Sequence, residues 1–234
     1  MSVRTPTQAF AEVAASLVKH DDLADTLTHL VDSCADVLDV SAVALLVRDA
    51  SGGLQLLTSS SHRVVELELY QVQADSGPCI DTIRTGVSVS AASHAQIVTR
   101  WPQVGPRIVA AGFAAVHASP LRWRGEPLGG LNVFDSRPTE LEEERSVLAQ
   151  AFADIATVAI VRSGHLDMSQ AALRVDHALA GRTVIERAKG VLAYTHRVDM
   201  ASAYDLLVSM SGQQGATLST VAAEVIRDVQ RQAH

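Results

Sequence analysis

Cysteine is scarce in this chain. Cys34 and Cys79 are the only two among 234 residues, too few for a disulfide framework or a four-cysteine zinc site, so a reducing compartment is expected. No run of 18 apolar residues occurs. Asp154 interrupts the best stretch, Ala151 to Val161, so no membrane-spanning helix and no membrane partner are expected. Glu12 and Lys19 interrupt the only apolar stretch near the start, which does not read as a signal peptide. Positive charge is short as well: 19 Lys and Arg stand against 26 Asp and Glu, and a net charge of −7 argues against a protein coated in nucleic acid. Of the nine histidines, no two have metal-ligand spacing on one helix or strand, and no metal site is expected. Nor is there a Ser/His/Asp order, a phosphate-cradling glycine loop or a paired carboxylate motif, so no catalytic residue is assigned. These absences describe a soluble cytoplasmic protein that is not an enzyme.

What is present is enough apolar material for a core: 47% of the chain is hydrophobic and 19% charged. Residues 1–168 carry 12 basic and 20 acidic residues, whereas residues 169–234 carry 7 and 6, so the tail is much less acidic than the body. In the body, apolar residues at helical spacing predict helices over 9–19 and 23–38, the second with Leu23, Leu27, Leu30, Val31, Cys34 and Leu38 on one face. Ala42 to Val47 reads as a central strand, and Ser51-Gly52-Gly53 turns it into a second over 54–59. Short helices are predicted around 63–72 and 77–85, a short strand over 87–91, and a helix from Trp101 to Ala111. Strands over 113–123 and 128–134 flank a hairpin at Arg124-Gly125-Glu126-Pro127, and a long helix carries Leu141, Leu148, Phe152, Ile155 and Ala159. The order predicts an α+β domain, an antiparallel sheet flanked by helices, over residues 1–163.

Ser163-Gly164 marks a boundary or kink, followed by a helical linker over 164–174. Residues 175–234 then read as three helices. Asp199 caps the second, Gly212 to Gly215 breaks it, and Thr217 caps the third, whose Leu218, Val221, Ala222, Val225, Ile226 and Val229 have amphipathic spacing. So small a bundle is marginal alone, and pairing with a second copy is expected.

The segment Ala178-Leu179-x-x-Arg182-x-Val184-Ile185-Glu186-Arg187-Ala188-Lys189-Gly190-Val191-Leu192, followed by Ala203-Tyr204-x-x-Leu207 and Leu218-x-x-Val221-Ala222-x-x-Val225, closely resembles the ANTAR domain. That resemblance implies a three-helix module of bacterial transcription antiterminators that binds paired hairpin loops in nascent RNA. The body is similar to a GAF domain, a small-molecule sensor fold, through Asp75-Ser76-Gly77-Pro78-Cys79, Ile83-Arg84-Thr85-Gly86, Trp101-Pro102, Ser119-Pro120-Leu121 and Leu128-Gly129-Gly130-Leu131-Asn132. Val208 departs from the pattern, since ANTAR domains usually carry arginine there. The stretch Gln213 to Thr217 is neutral where a polar or basic one is common.

By spacing alone, Glu186 between Arg182 and Lys189 makes an ordinary solvated face. The resemblance turns these cations toward RNA: Arg182 and Lys189 share one face, Arg187 and Arg197 widen the patch, and Gly190 calls for close approach of RNA or of another helix. In the body, Cys79, Trp101, His117 and Asn132 are the candidate ligand-pocket residues; the bland alternatives are a small core residue for Cys79, a structural histidine for His117 and a helix start for Trp101. The sequence assigns no cofactor. The expected function is a homodimeric sensory antitermination regulator, its ANTAR domain gripping hairpin loops under control of the GAF domain. Two alternatives stand beside it: an interaction adaptor that has lost RNA binding, and a GAF-fold thiol enzyme.

Overall fold

The computed structural model describes residues 5–19, 22–161 and 168–232. The kink expected at Ser163-Gly164 lies outside them. Two helices open the fold, α1 (Pro6–Lys19) and α2 (Leu23–Val37). α2 begins at Leu23 because Asp22 caps it, its Oδ1 accepting the Ala24 N–H at 2.9 Å and the Asp25 N–H at 3.4 Å. β1 (Ala42–Arg48) and β2 (Leu54–Ser59) follow, then a 3-10 turn at His62–Val64, α3 (Val65–Ala74), α4 (Pro78–Thr85) and β3 (Val89–Ala91).

Of the helix expected from Trp101 to Ala111 only the second half forms, as α6 (Gly105–Ala110), while α5 (His94–Arg100) lies ahead of the expected range and was not anticipated. Pro102 disfavours helical backbone at Trp101, which has φ −126° and ψ 76°, and Pro106 restarts the helix from its first turn. β4 (Ala115–Trp123) and β5 (Glu126–Asp135) are joined by only two residues, Arg124 at φ +51° and Gly125 at φ +89°, so β5 starts two residues before its predicted limit. α7 (Glu143–Val161) completes the body.

The five strands run antiparallel in the order β2-β1-β5-β4-β3. β1 is sandwiched on both faces, which explains its unbroken apolar run. One face of the sheet packs Val43, Leu45, Leu131 and Val133 against α1, α2 and α7 with Leu27, Leu30 and Phe152. The other packs Leu46, Ala118 and Phe134 against α3 to α6 with Ile83, Trp101 and Phe113. Alternation along β5 therefore sends Asn132 to one side and its neighbours Leu131 and Val133 to the other.

The tail is α8 (Met168–His196), α9 (Met200–Gln214) and α10 (Leu218–Gln232). From Met168 the expected linker and the first bundle helix are one continuous helix of 29 residues. Asp199 caps α9, accepting the Ser202 N–H at 2.7 Å. The expected break over Gly212 to Gly215 comes only at its end: Gly212 stays helical, and Gly215 at φ +61° turns the chain. Ile185, Ala188, Leu192, Ala203, Leu207, Val221 and Ala222 form the small core of the bundle.

Candidate nucleic-acid interface and the buried cluster of the body

α8 places its cations on two different sides. Arg182 and Lys189 face the body; Arg187 and Gly190 face solvent, and Arg197 follows just past the helix end with φ +55°. Lys189 is only 6% exposed. Its Nζ donates to Glu186 Oε1 and Oε2 at 3.0 and 3.2 Å, lies 3.1 Å from His62 Nε2, and stands over the Tyr204 ring at 5.4 Å from its centroid. A buried ammonium is tolerable only with such partners. Arg182 reaches across to β2, where Nη1 donates to the Leu56 carbonyl.

Further polar contacts join tail and body. Asp25 of α2 accepts the Leu218 N–H of α10 at 2.8 Å, and the Ser219 hydroxyl donates to Asp22 Oδ2. The body thus supplies part of the N-terminal cap of a tail helix, beside Thr217, whose Oγ1 takes the Thr220 N–H at 3.3 Å. Between the halves lies a cleft of about 530 Å³ lined by Asp32, His62, Arg63, Lys189, Tyr204 and Asp205. Burial, reinforced by neighbouring Asp36, pushes the Asp32 carboxyl up to about 6.

Gly190 has no packing explanation, since a Cβ added there meets nothing within 4 Å. Val208, at the position where the ANTAR pattern usually carries arginine, is 38% exposed.

In the body the four pocket candidates also divide. Cys79, Trp101 and Asn132 lie on the α3–α6 side of the sheet, whereas His117 pairs with Val133 on β4 and faces the α7 side. His117 is held between two serines, Nδ1 2.6 Å from Ser90 Oγ and Nε2 3.1 Å from Ser119 Oγ, and burial lowers it to about 4, so the ring is neutral. The Trp101 indole donates to Asp81 Oδ2 at 2.9 Å. Asn132 Nδ2 donates at 2.7 Å to Glu68, a fully buried acid that also accepts from Gln71 Nε2 at 2.8 Å. Burial pushes Glu68 up to about 8, the Asn132 hydrogen bond only partly opposing it. Gln71 Oε1 accepts the Cys79 N–H at 3.4 Å, an approach that requires glycine at residue 77: a Cβ there, at φ +129°, would meet Gln71 Oε1 at 2.2 Å. Asn132 Oδ1 has no hydrogen-bond partner among the described residues.

Burial, and then Glu68, raise the Cys79 thiol well above its usual range; burial alone raises Cys34, which lies across the sheet in the opposite cluster. Two such thiols neither meet nor ionise readily. Among the described residues, no group of three His, Cys, Asp or Glu side chains could hold a metal ion.

Sequence reasoning missed Glu68, His62 and Asp25. Glu68 had a signal, because Val64, Leu67, Glu68 and Gln71 share helical spacing and all four are buried. His62 and Asp25 had none, since their partners lie more than 120 residues away.

Residues 22–160 match the family model of the GAF domain, and residues 173–226 that of the ANTAR domain. No curated protein matches the chain. Among solved structures, the GAF domain of an Acinetobacter phosphoenolpyruvate-protein phosphotransferase is similar at a TM-score of 0.53 and 13% identity, over 69% of this chain and 97% of that one. The corresponding domain from Coxiella burnetii aligns at 0.53 and 16% identity, over 70% and 96%. A free methionine-R-sulfoxide reductase from Neisseria meningitidis, solved with its substrate, aligns at 0.51 and 10% identity, over 72% and 90%. At these identities the likeness establishes the fold alone. No helix among the described residues is long and apolar enough to cross a membrane. With a GAF-family match over most of its length and the ANTAR match behind it, the chain belongs to the GAF family and is a GAF and ANTAR domain-containing protein, built from regulatory modules.

Proposed function

We propose that this protein is a cytoplasmic, homodimeric transcription antitermination regulator without catalytic activity, whose ANTAR domain binds paired hairpin loops of nascent RNA under control of its GAF domain. The observation that carries the reading is the placement of Lys189 and Arg182 against the body. Two of the four cations that the ANTAR resemblance directs to RNA, Arg182 and Lys189, are covered by the GAF domain, so access to them depends on whether the halves are docked. Control then is a population shift between docked and open chains. Input at the body is a small molecule or a partner. Support for a homodimer comes from α7, where Val147 and Val158 are 64% and 51% exposed along one edge.

The test is binding of the purified chain to RNA bearing two hexanucleotide-loop hairpins, against a scrambled-loop RNA. Loop-specific binding that Asp25→Ala strengthens and Lys189→Ala weakens supports the reading. No binding by either the native chain or Asp25→Ala favours the adaptor instead, for which exposed Val208 is the specific observation.

A further inference from the structure

The side of α8 that remains open carries a feature the cationic pattern does not contain. Tyr194 is 88% exposed, more than any other large apolar or aromatic residue of the described structure. It stands on the same side as Arg187 and Gly190, since residues three and seven positions apart lie on one helix face, with Arg197 immediately beyond. Neither arginine pairs with a carboxylate among the described residues; the neighbouring acid Glu186 is engaged by Lys189. Between the two arginines Gly190 leaves bare backbone, with nothing packed above it. A flat ring in solvent, flanked by two unpaired guanidinium groups and a strip of open backbone, suits an unpaired base with its phosphates. Bases stack on aromatic rings whatever their identity, while arginine takes phosphate or stacks in turn. Duplexes hide their base faces, whereas loops expose them.

We propose that Arg187, Gly190, Tyr194 and Arg197 form a stacking platform for an unpaired base of an RNA loop, with Tyr194 as the stacking ring. The platform rests on the RNA-binding reading and extends it: it lies on the opposite flank of α8 from Lys189, and it is accessible while the bundle is docked. The docked chain therefore retains a weak, Tyr194-dependent hold on RNA, and opening adds the Lys189 face to it.

The experiment uses the full chain and the two-hairpin RNA. Tyr194→Ala weakens binding about tenfold or more, and Tyr194→Phe stays within about threefold, as loss and retention of one stacked base require. Arg187→Ala lowers the slope of affinity against salt by about one, whereas Tyr194→Ala leaves that slope unchanged. Tyr194→Trp reports directly, its fluorescence quenched on adding RNA. Native binding by Tyr194→Ala, in a series where Lys189→Ala weakens binding, overturns the platform and leaves the RNA reading standing. Equal losses in Tyr194→Phe and Tyr194→Ala overturn stacking as the contact. Failure of the native and Asp25→Ala chains to bind any RNA overturns both. Unchanged thermal midpoints for the Tyr194 variants separate a surface role from a folding defect.

Discussion

The body and the tail are held together in different ways. The body buries large side chains on both faces of its sheet, with Trp101, Phe113, Phe134 and Phe152 all fully enclosed. The tail buries alanines and medium aliphatics, such as Ala188, Ala203, Ala222, Leu207 and Val221, and its one inward aromatic, Tyr204, is only partly covered. The body is therefore self-sufficient, whereas the tail leans on it. It leans on two kinds of contact: Val175, Ala178 and Leu179 of α8 join the body's own core, and beyond them the contacts are polar, an aspartate on an amide, an arginine on a carbonyl, a lysine beside a histidine. Apolar burial decides which half stands alone, and directional polar contacts decide which arrangement the other half adopts.

The largest expected effect breaks the body. Phe152→Ala removes a ring that packs on Phe10 at 4.8 Å between centroids and costs about 3–5 kcal/mol, read as a loss in urea-unfolding free energy. Leu207→Ala, in the tail, costs about 2–5 kcal/mol of bundle stability. A separate body transition unmoved by it confirms the asymmetry, and one shifted cooperative transition removes it.

Next comes the joint. Asp25→Ala deletes the acceptor for the Leu218 N–H and costs about 1–2 kcal/mol, seen as faster hydrogen exchange at the first turn of α10. Exchange at the native rate there means the cap does not hold the halves together.

The third effect is confined to the body and depends on pH. Glu68 is raised from 4.5 to about 8, so the folded state holds its proton more tightly than the unfolded chain. Its stabilising contribution is complete below about pH 4.5 and is lost as pH rises through 8. Glu68→Gln flattens that decline, so its advantage over the native chain grows between about pH 4.5 and 8. His117 works in the other sense: depressed from 6.5 to about 4, it costs stability as pH falls through that interval, and His117→Gln removes the loss. Denaturant midpoints across pH check both. Smallest of all is Tyr194→Ala, which shifts stability by less than about 0.5 kcal/mol because its ring is in solvent.

The period of the apolar residues made most of this fold legible. Continuous burial marked β1, and the 3.6-residue stripe of Leu27, Leu30, Val31 and Cys34 marked α2, because both elements answer to one dominant force. Where several local preferences compete, as at Trp101-Pro102 and Gly105-Pro106, the predicted helix shrank to its second half, and the helix His94–Arg100 before it went unforeseen. The sites were half legible. Residue type pointed to Lys189, Arg187, Asn132 and His117, but side is a matter of parity on a strand and of angle on a helix. His117 and Asn132 consequently lie across the sheet from one another, and Lys189 and Arg187 lie on different flanks of α8. The cap from Asp25 to Leu218 had no local signal, because it exists only once both halves are in place.

That cap also orders events during synthesis. Asp22 and Asp25 leave the ribosome nearly two hundred residues before Leu218 and Ser219, and domains translated first fold first. The last helix thus emerges beside a finished acceptor tethered on the same chain, where its effective concentration is high. A newborn molecule reaches the docked arrangement by default, and under the proposed regulation the open one follows only later.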